Sequence, residues 1–103
     1  MVDVKLNIDE KGHGAFIVFE DGEQLGEMVV RVTNKNLTVY HTEVSDKAEG
    51  KGFAKVLLTT MVDYARKQHL KVIPLCPFVH AQFKCHPDAY ADLWDSEQEL
   101  RRN

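Results

Sequence analysis

Apolar and polar positions exchange over the short run Lys5–Ile8, Ala15–Phe19 is a continuous β-rich apolar run, Leu25–Val32 carries Met28, Val29, Val30 and Val32, and Leu37–Val44 follows as a fourth strand-like run. Polar turns separate these runs: Asp9-Glu10-Lys11-Gly12, Asp21-Gly22 and Thr33-Asn34-Lys35-Asn36. Asp-Gly between two β-rich runs is a hairpin signal, and connections this short predict an antiparallel meander. In the fourth run the alternation puts Val39, His41 and Glu43 on one face, with Thr38, Tyr40, Thr42 and Val44 on the other.

After Ser45 the period lengthens. Phe53, Leu57, Met61 and Ala65 recur at four-residue spacing with Ala54, Leu58 and Val62 beside them. Lys51, Lys55, Asp63, Arg66 and Lys67 fall mostly elsewhere on the wheel, which predicts one amphipathic helix of about four turns. Gln68-His69 ends it, and Lys71–Leu75 reads as a fifth strand. A strand, helix and strand in this order predict that the fourth and fifth strands run parallel. Residues 78–86 form a short helix on this reading, and Pro87 to Asn103 is helical or partly disordered, with Tyr90, Leu93 and Trp94 as docking groups. The expected fold class is α/β, a single domain over residues 1–103: a mixed, mostly antiparallel sheet of about five strands with one main helix after strand four.

Composition narrows the partners. A chain of 103 residues, 44% hydrophobic, buries roughly two-thirds of its unfolded surface and folds without a metal or disulfide. Thirteen basic against sixteen acidic residues give a net charge of -3, which argues against coating nucleic acid or an anionic membrane. One local basic site for a phosphorylated ligand stays compatible with that balance. No apolar run approaches the roughly 20 residues of a membrane span, and no basic start followed by an apolar run marks a signal peptide. Cys76 and Cys85 are too few for a disulfide framework. A cytoplasmic monomer with free thiols, and with neither nucleic-acid nor membrane partner, is expected.

The segment Lys47-Ala48-Glu49-Gly50-Lys51-Gly52-Phe53-Ala54 carries the clearest chemistry. Two glycines bring bare backbone N–H groups to the start of a long helix, whose N-terminus contributes roughly half a positive charge. Lys47 and Lys51 add formal charge at the rim, so the pattern favours a phosphate or pyrophosphate. A P-loop is excluded because no Gly-Lys-Ser/Thr follows at the required spacing. An ordinary glycine turn remains the plain alternative on spacing alone.

The segment resembles the signature of the GNAT N-acetyltransferase superfamily, Gln/Arg-x-x-Gly-x-Gly/Ala, with Lys47 where Gln or Arg is usual. His41-Thr42-Glu43-Val44 before the loop and Pro74-Leu75-Cys76-Pro77-Phe78-Val79 after the fifth strand are similar to the small YjdJ-like branch of that superfamily. The resemblance covers roughly residues 5 to 95 and implies acetyl-coenzyme A as cofactor and a small-molecule or peptide amine as acceptor. It implies that the loop amides from Lys47 to Ala54, including Gly50, Lys51, Gly52 and Phe53, hold the pyrophosphate. Val44, Ser45, Phe78 and Val79 would line the pantetheine arm, with Phe83 flanking it. In this superfamily that arm lies where the fourth and fifth strands splay, which brings Cys76 to face the acetyl thioester.

The catalytic candidates are therefore Cys76, His41 and Glu43. Cys76 could accept the acetyl group as a nucleophile with His41 or His80 as a neighbouring base, or it is simply a small buried hydrophobe. Glu43 could instead take the proton of an amine that attacks directly. A zinc site from Cys76-x3-His80-x4-Cys85-His86 is disfavoured, because adjacent Cys85 and His86 rarely both reach one ion; no metal is expected. The leading expectation is an acetyl-coenzyme-A-dependent N-acetyltransferase. A non-enzymatic coenzyme A or acyl-CoA binding or interaction module is the alternative.

Overall fold

A computed structural model describes residues 1–96. The four β-rich segments form β1 (Val2–Ile8), β2 (His13–Glu20), β3 (Glu23–Val32) and β4 (Asn36–Val44), β2, β3 and β4 each antiparallel to the strand before. The β2–β3 turn runs through Asp21 and Gly22, both left-handed with φ of 51° and 84°, as a two-residue hairpin requires. The four-residue periodicity becomes α1 (Phe53–Lys67), and β5 (Lys71–Pro74) returns parallel to β4, completing the order β1-β2-β3-β4-β5. The expected fold class stands. Among the described residues, no helix is long and apolar enough to cross a membrane.

Two short helices follow, α2 (Pro77–Cys85) and α3 (Pro87–Tyr90). The chain then returns to β5: Val72 N–H donates to Leu93 O at 2.6 Å, and Asp95 N–H donates to Val72 O at 2.8 Å. Tyr90 stacks on Phe83 at 4.5 Å and Leu93 is buried, so these groups dock as expected. The remainder of the expected helical or disordered tail, 97–103, lies outside the described residues.

One sheet face carries the core. Phe16, Val18, Met28, Val30, Leu37 and Val39 meet Phe53, Leu57, Leu58, Met61, Val62 and Ala65 of α1, all of them buried. The helix presents this stripe because its apolar residues recur with the helical period; Arg66 and Lys67 in its last turn stay exposed and complement the helix dipole.

The expected facing of β4 needs a correction. Val30 pairs with Val39, but Val29 pairs with His41, so Tyr40 is an extra residue, a β-bulge. Paired residues share a face. Val39 therefore lies with Thr42 and Val44 on the helix side, and His41 and Glu43 lie on the opposite side. The inserted residue shifts the period-two alternation by one place, which a strict alternation from Leu37 to Val44 does not anticipate.

Candidate functional site

β4 ends at Val44, and the chain enters a single 3-10 turn, Asp46–Ala48, whose Lys47 N–H donates to Ser45 Oγ at 3.3 Å. Buried Ala48 and Phe53 anchor the two sides of the loop. Between them Gly50 and Gly52 adopt φ of 85° and 77°. A Cβ at either position would meet nothing within 4 Å, so glycine is needed here for its left-handed backbone rather than for space. Gly52 is the N-cap of α1 and supplies no side-chain cap, and the first turn holds no acidic residue. Among the described residues, the amides of Gly50, Gly52, Phe53, Ala54 and Lys55 donate to no acceptor. They border a pocket of about 450 Å³ lined by Val44, Ala48, Glu49, Gly50, Gly52, Phe53 and Ala54. Unbonded donors at the positive end of a 15-residue helix, beside open space, fit an anionic group such as a diphosphate.

Both lysines of the loop are paired with carboxylates of the β2–β3 hairpin. Lys47 Nζ lies 3.0 Å from Glu23, and Lys51 Nζ lies 2.7 Å from Glu20. The Glu20 carboxylate, helped by Asp21 and Glu23, holds the Lys51 ammonium above the ordinary lysine value. Sequence reasoning missed Glu20 and Glu23 as neighbours of the loop. They sit at the β2–β3 hairpin, more than twenty residues upstream, and no local pattern announces the contact.

A gap opens beside β4. Its parallel pairing with β5 covers only Asn36–Val39, and Cys76 N–H donates to Val39 O at 2.9 Å where the two part. Beyond it the strand pairs with β3 alone among the described residues. Cys76 is buried at 2% exposure, and its Sγ lies 3.3 Å from Thr42 Oγ1 on the helix side of the sheet. His41 Nε2 and Glu43 Oε1 are 3.8 Å apart on the other side, both exposed. The structure thus brings His41 to Glu43 and Cys76 to Thr42, and it separates the two pairs by the sheet. Glu43 also stands opposite Glu27 in register, and both line a pocket of about 350 Å³ with Gln24, Gly26, Val44, Ser45 and Asp46. Glu27 was not among the expected residues; its place beside Glu43 follows only from strand register.

On the far side of the gap, Phe78 is half-buried, and Val79 and Phe83 are fully buried. The amides of Phe78 and Val79, in the first turn of α2, donate to no acceptor among the described residues, so Val79 offers its backbone and not its side chain. Phe83 spends its ring on Tyr90 and Trp94, leaving no surface toward the gap. His80 packs edge-on against Trp94 at 6.0 Å. Among the described residues no three His, Cys, Asp or Glu side chains come together to hold a metal ion.

Known proteins place this architecture. The family model of the GCN5-related N-acetyl-transferases matches residues 10–93. A ribosomal-protein-alanine N-acetyltransferase from Brucella melitensis biovar Abortus 2308 has a similar structure, with TM-score 0.66, 17% identity, and coverage of 75% of this chain and 81% of that one. A GCN5-like protein from Staphylococcus aureus, solved by NMR, is 29% identical with TM-score 0.61, covering 87% and 86% of the two chains. A GNAT family acetyltransferase from Elizabethkingia anophelis, solved with acetyl-CoA bound, has TM-score 0.60 at 10% identity, with coverage of 71% and 63%. No curated protein matches the chain. The sheet, the glycine loop and the family match over most of the sequence agree: the chain belongs to the GCN5-related N-acetyltransferase family.

Proposed function

We propose that the chain is an acetyl-coenzyme-A-dependent N-acetyltransferase of the small YjdJ-like branch, a cytoplasmic monomer acting on a small-molecule or peptide amine. The observation that carries this reading is the set of unbonded amides of Gly50, Gly52, Phe53, Ala54 and Lys55 beside the loop pocket, in a chain of this family. When bound, the cofactor supplies an acetyl group activated as a thioester. The loop amides hold its pyrophosphate charge, and Val44, Ser45, Phe78 and the Val79 amide line the gap for its pantetheine arm. Glu43, on the open side of β4, takes the proton that the attacking amine must lose, and His41 beside it orients the carboxylate.

Direct transfer is the route we favour over an acetyl-cysteine. The hydrogen-bond partner of Cys76 is the hydroxyl of Thr42, whereas His41 and Glu43 lie across the sheet from it. Glu43→Gln is expected to lower kcat by about 10²- to 10⁴-fold with acetyl-CoA binding retained. Cys76→Ala is expected to leave turnover of the same order. Acetyl transfer to a panel of amines, with acetyl-CoA binding measured in parallel, checks both. Loss of transfer on Cys76→Ala alone would instead mark the cysteine as the acetyl acceptor. Saturable binding with no transfer to any amine would mark a coenzyme A binding module.

A further inference from the structure

On the face of the sheet turned away from α1, strand register sets side chains in rows. Lys5, Ile17, Glu27 and Glu43 form one row across β1 to β4, and Asn7, Ala15, Val29 and His41 form the next. Ile17 and Val29 are half-buried and lie outside the core, so the middle of this face is apolar and shallow. Tight turns join β1 to β2, β2 to β3 and β3 to β4, so no helix is inserted along these strands to roof it. Its β4 end is acidic. Glu27 and Glu43 stand directly opposite each other, and with Asp46 they line the pocket of about 350 Å³, to which no lysine or arginine contributes. Like charges paired across strands are destabilising, and a cation between them relieves the repulsion.

We propose that this face is a docking surface for a polypeptide, and that the acceptor amine is a lysine side chain with an apolar residue close by in an extended chain. The proposal rests on the reading of Glu43 as the base. The Glu43 side chain is 72% exposed and that of His41 57%. A small-molecule site encloses most of its ligand, which a base this open does not do. A polypeptide brings its own surface to cover the base, and Ile17 and Val29 give that surface apolar ground. Glu27, Glu43 and Asp46 draw the lysine's positive charge to the β4 end. Ile17 is two strand spacings from Glu43, roughly 10 Å, which about three extended residues cover. The apolar residue therefore falls within about three positions of the lysine.

The test measures acetyl transfer by the full chain to a peptide with leucine two positions to either side of its single lysine, to the same peptide with serine for leucine, to Nα-acetyl-lysine methylamide and to spermidine. In the unmodified chain kcat/KM is expected to be about tenfold higher for the leucine peptide than for the other three, the size of one buried apolar side chain. With Ile17→Thr and Val29→Thr combined, that preference falls to near unity, while acetyl-CoA binding and transfer to the methylamide are retained. Glu27→Gln raises KM for the leucine peptide by about fivefold and leaves kcat unchanged. Spermidine or the methylamide turned over as well as the leucine peptide overturns the docking surface and leaves the transferase reading standing. A leucine preference that survives the threonine pair overturns it too, as does a KM that Glu27→Gln does not move. Binding of acetyl-CoA with no transfer to any of the four acceptors removes the transferase reading itself, and the docking surface with it.

Discussion

At its C-terminal end helix α1 is closed by contacts from another part of the chain. Arg66 donates to both carboxylate oxygens of Asp92 at 3.0 and 3.2 Å and to Ala89 O at 2.7 Å, while Gln68 N–H returns to Tyr64 O. The N-terminal end of the same helix has neither a capping side chain nor an acidic residue in its first turn, and its first amides are left without acceptors. One end is finished by the fold, and the other is available to a ligand. The difference teaches where the helix draws its stability. A buried stripe from Phe53 to Ala65 holds it on the sheet, so the N-terminal amides can be left for binding at small cost.

The largest change comes from breaking what the two ends share. Leu57 is fully buried beneath the middle of α1, and Leu57→Ala is expected to lower unfolding stability by about 2–5 kcal/mol in denaturant melts, loosening both ends together. Gly52→Ala separates them. A left-handed non-glycine residue costs about 1–2 kcal/mol; the open end should lose acetyl-CoA affinity, while the docking of Asp92 on Arg66 is retained, as amide shifts in a ligand titration would report.

The smallest effect sharpens the closed end through pH. The Arg66 guanidinium, by its hydrogen bond and then its charge, holds the Asp92 carboxyl below the ordinary carboxylate value. A depressed carboxyl contributes stability that is present above its unfolded value and is lost as pH falls through the folded one. Arg66→Ala should therefore lose no more than about 1 kcal/mol near neutrality, since the pair is exposed, and should flatten the acid side of the stability profile. Thermal melts across the acid range, compared with the unmodified chain, check it.

How far the molecule could be read from its residues follows from the range of the interactions. Strands β2 to β4 were legible from β-rich runs bounded by polar turns, and helix α1 from its four-residue apolar period, all within windows of ten or fifteen residues. The glycine loop was legible because left-handed backbone demands glycine at Gly50 and Gly52, and a helix start follows directly. Tyr40 was not, because a bulge depends on pairing with β3; that one residue decides that His41 and Glu43 face away from Cys76. The ion pairs of Lys47 and Lys51 were equally hidden, since they join the loop to a hairpin distant in sequence. Phe83 kept the apolar character expected of it, but its stacking on Tyr90 depends on α3 folding back.

The return of the chain to β5 has a further consequence. β5 is only four residues long, and without Leu93–Asp95 its outer backbone would present unpaired N–H and C=O groups to any passing strand. The two hydrogen bonds through Val72, backed by Lys71 Nζ donating to Asp92 O at 2.6 Å, occupy that border with the chain's own residues. The segment around Trp94 therefore acts as a selvage: it finishes the sheet at β5 and denies that edge to the intermolecular strand addition from which aggregates grow.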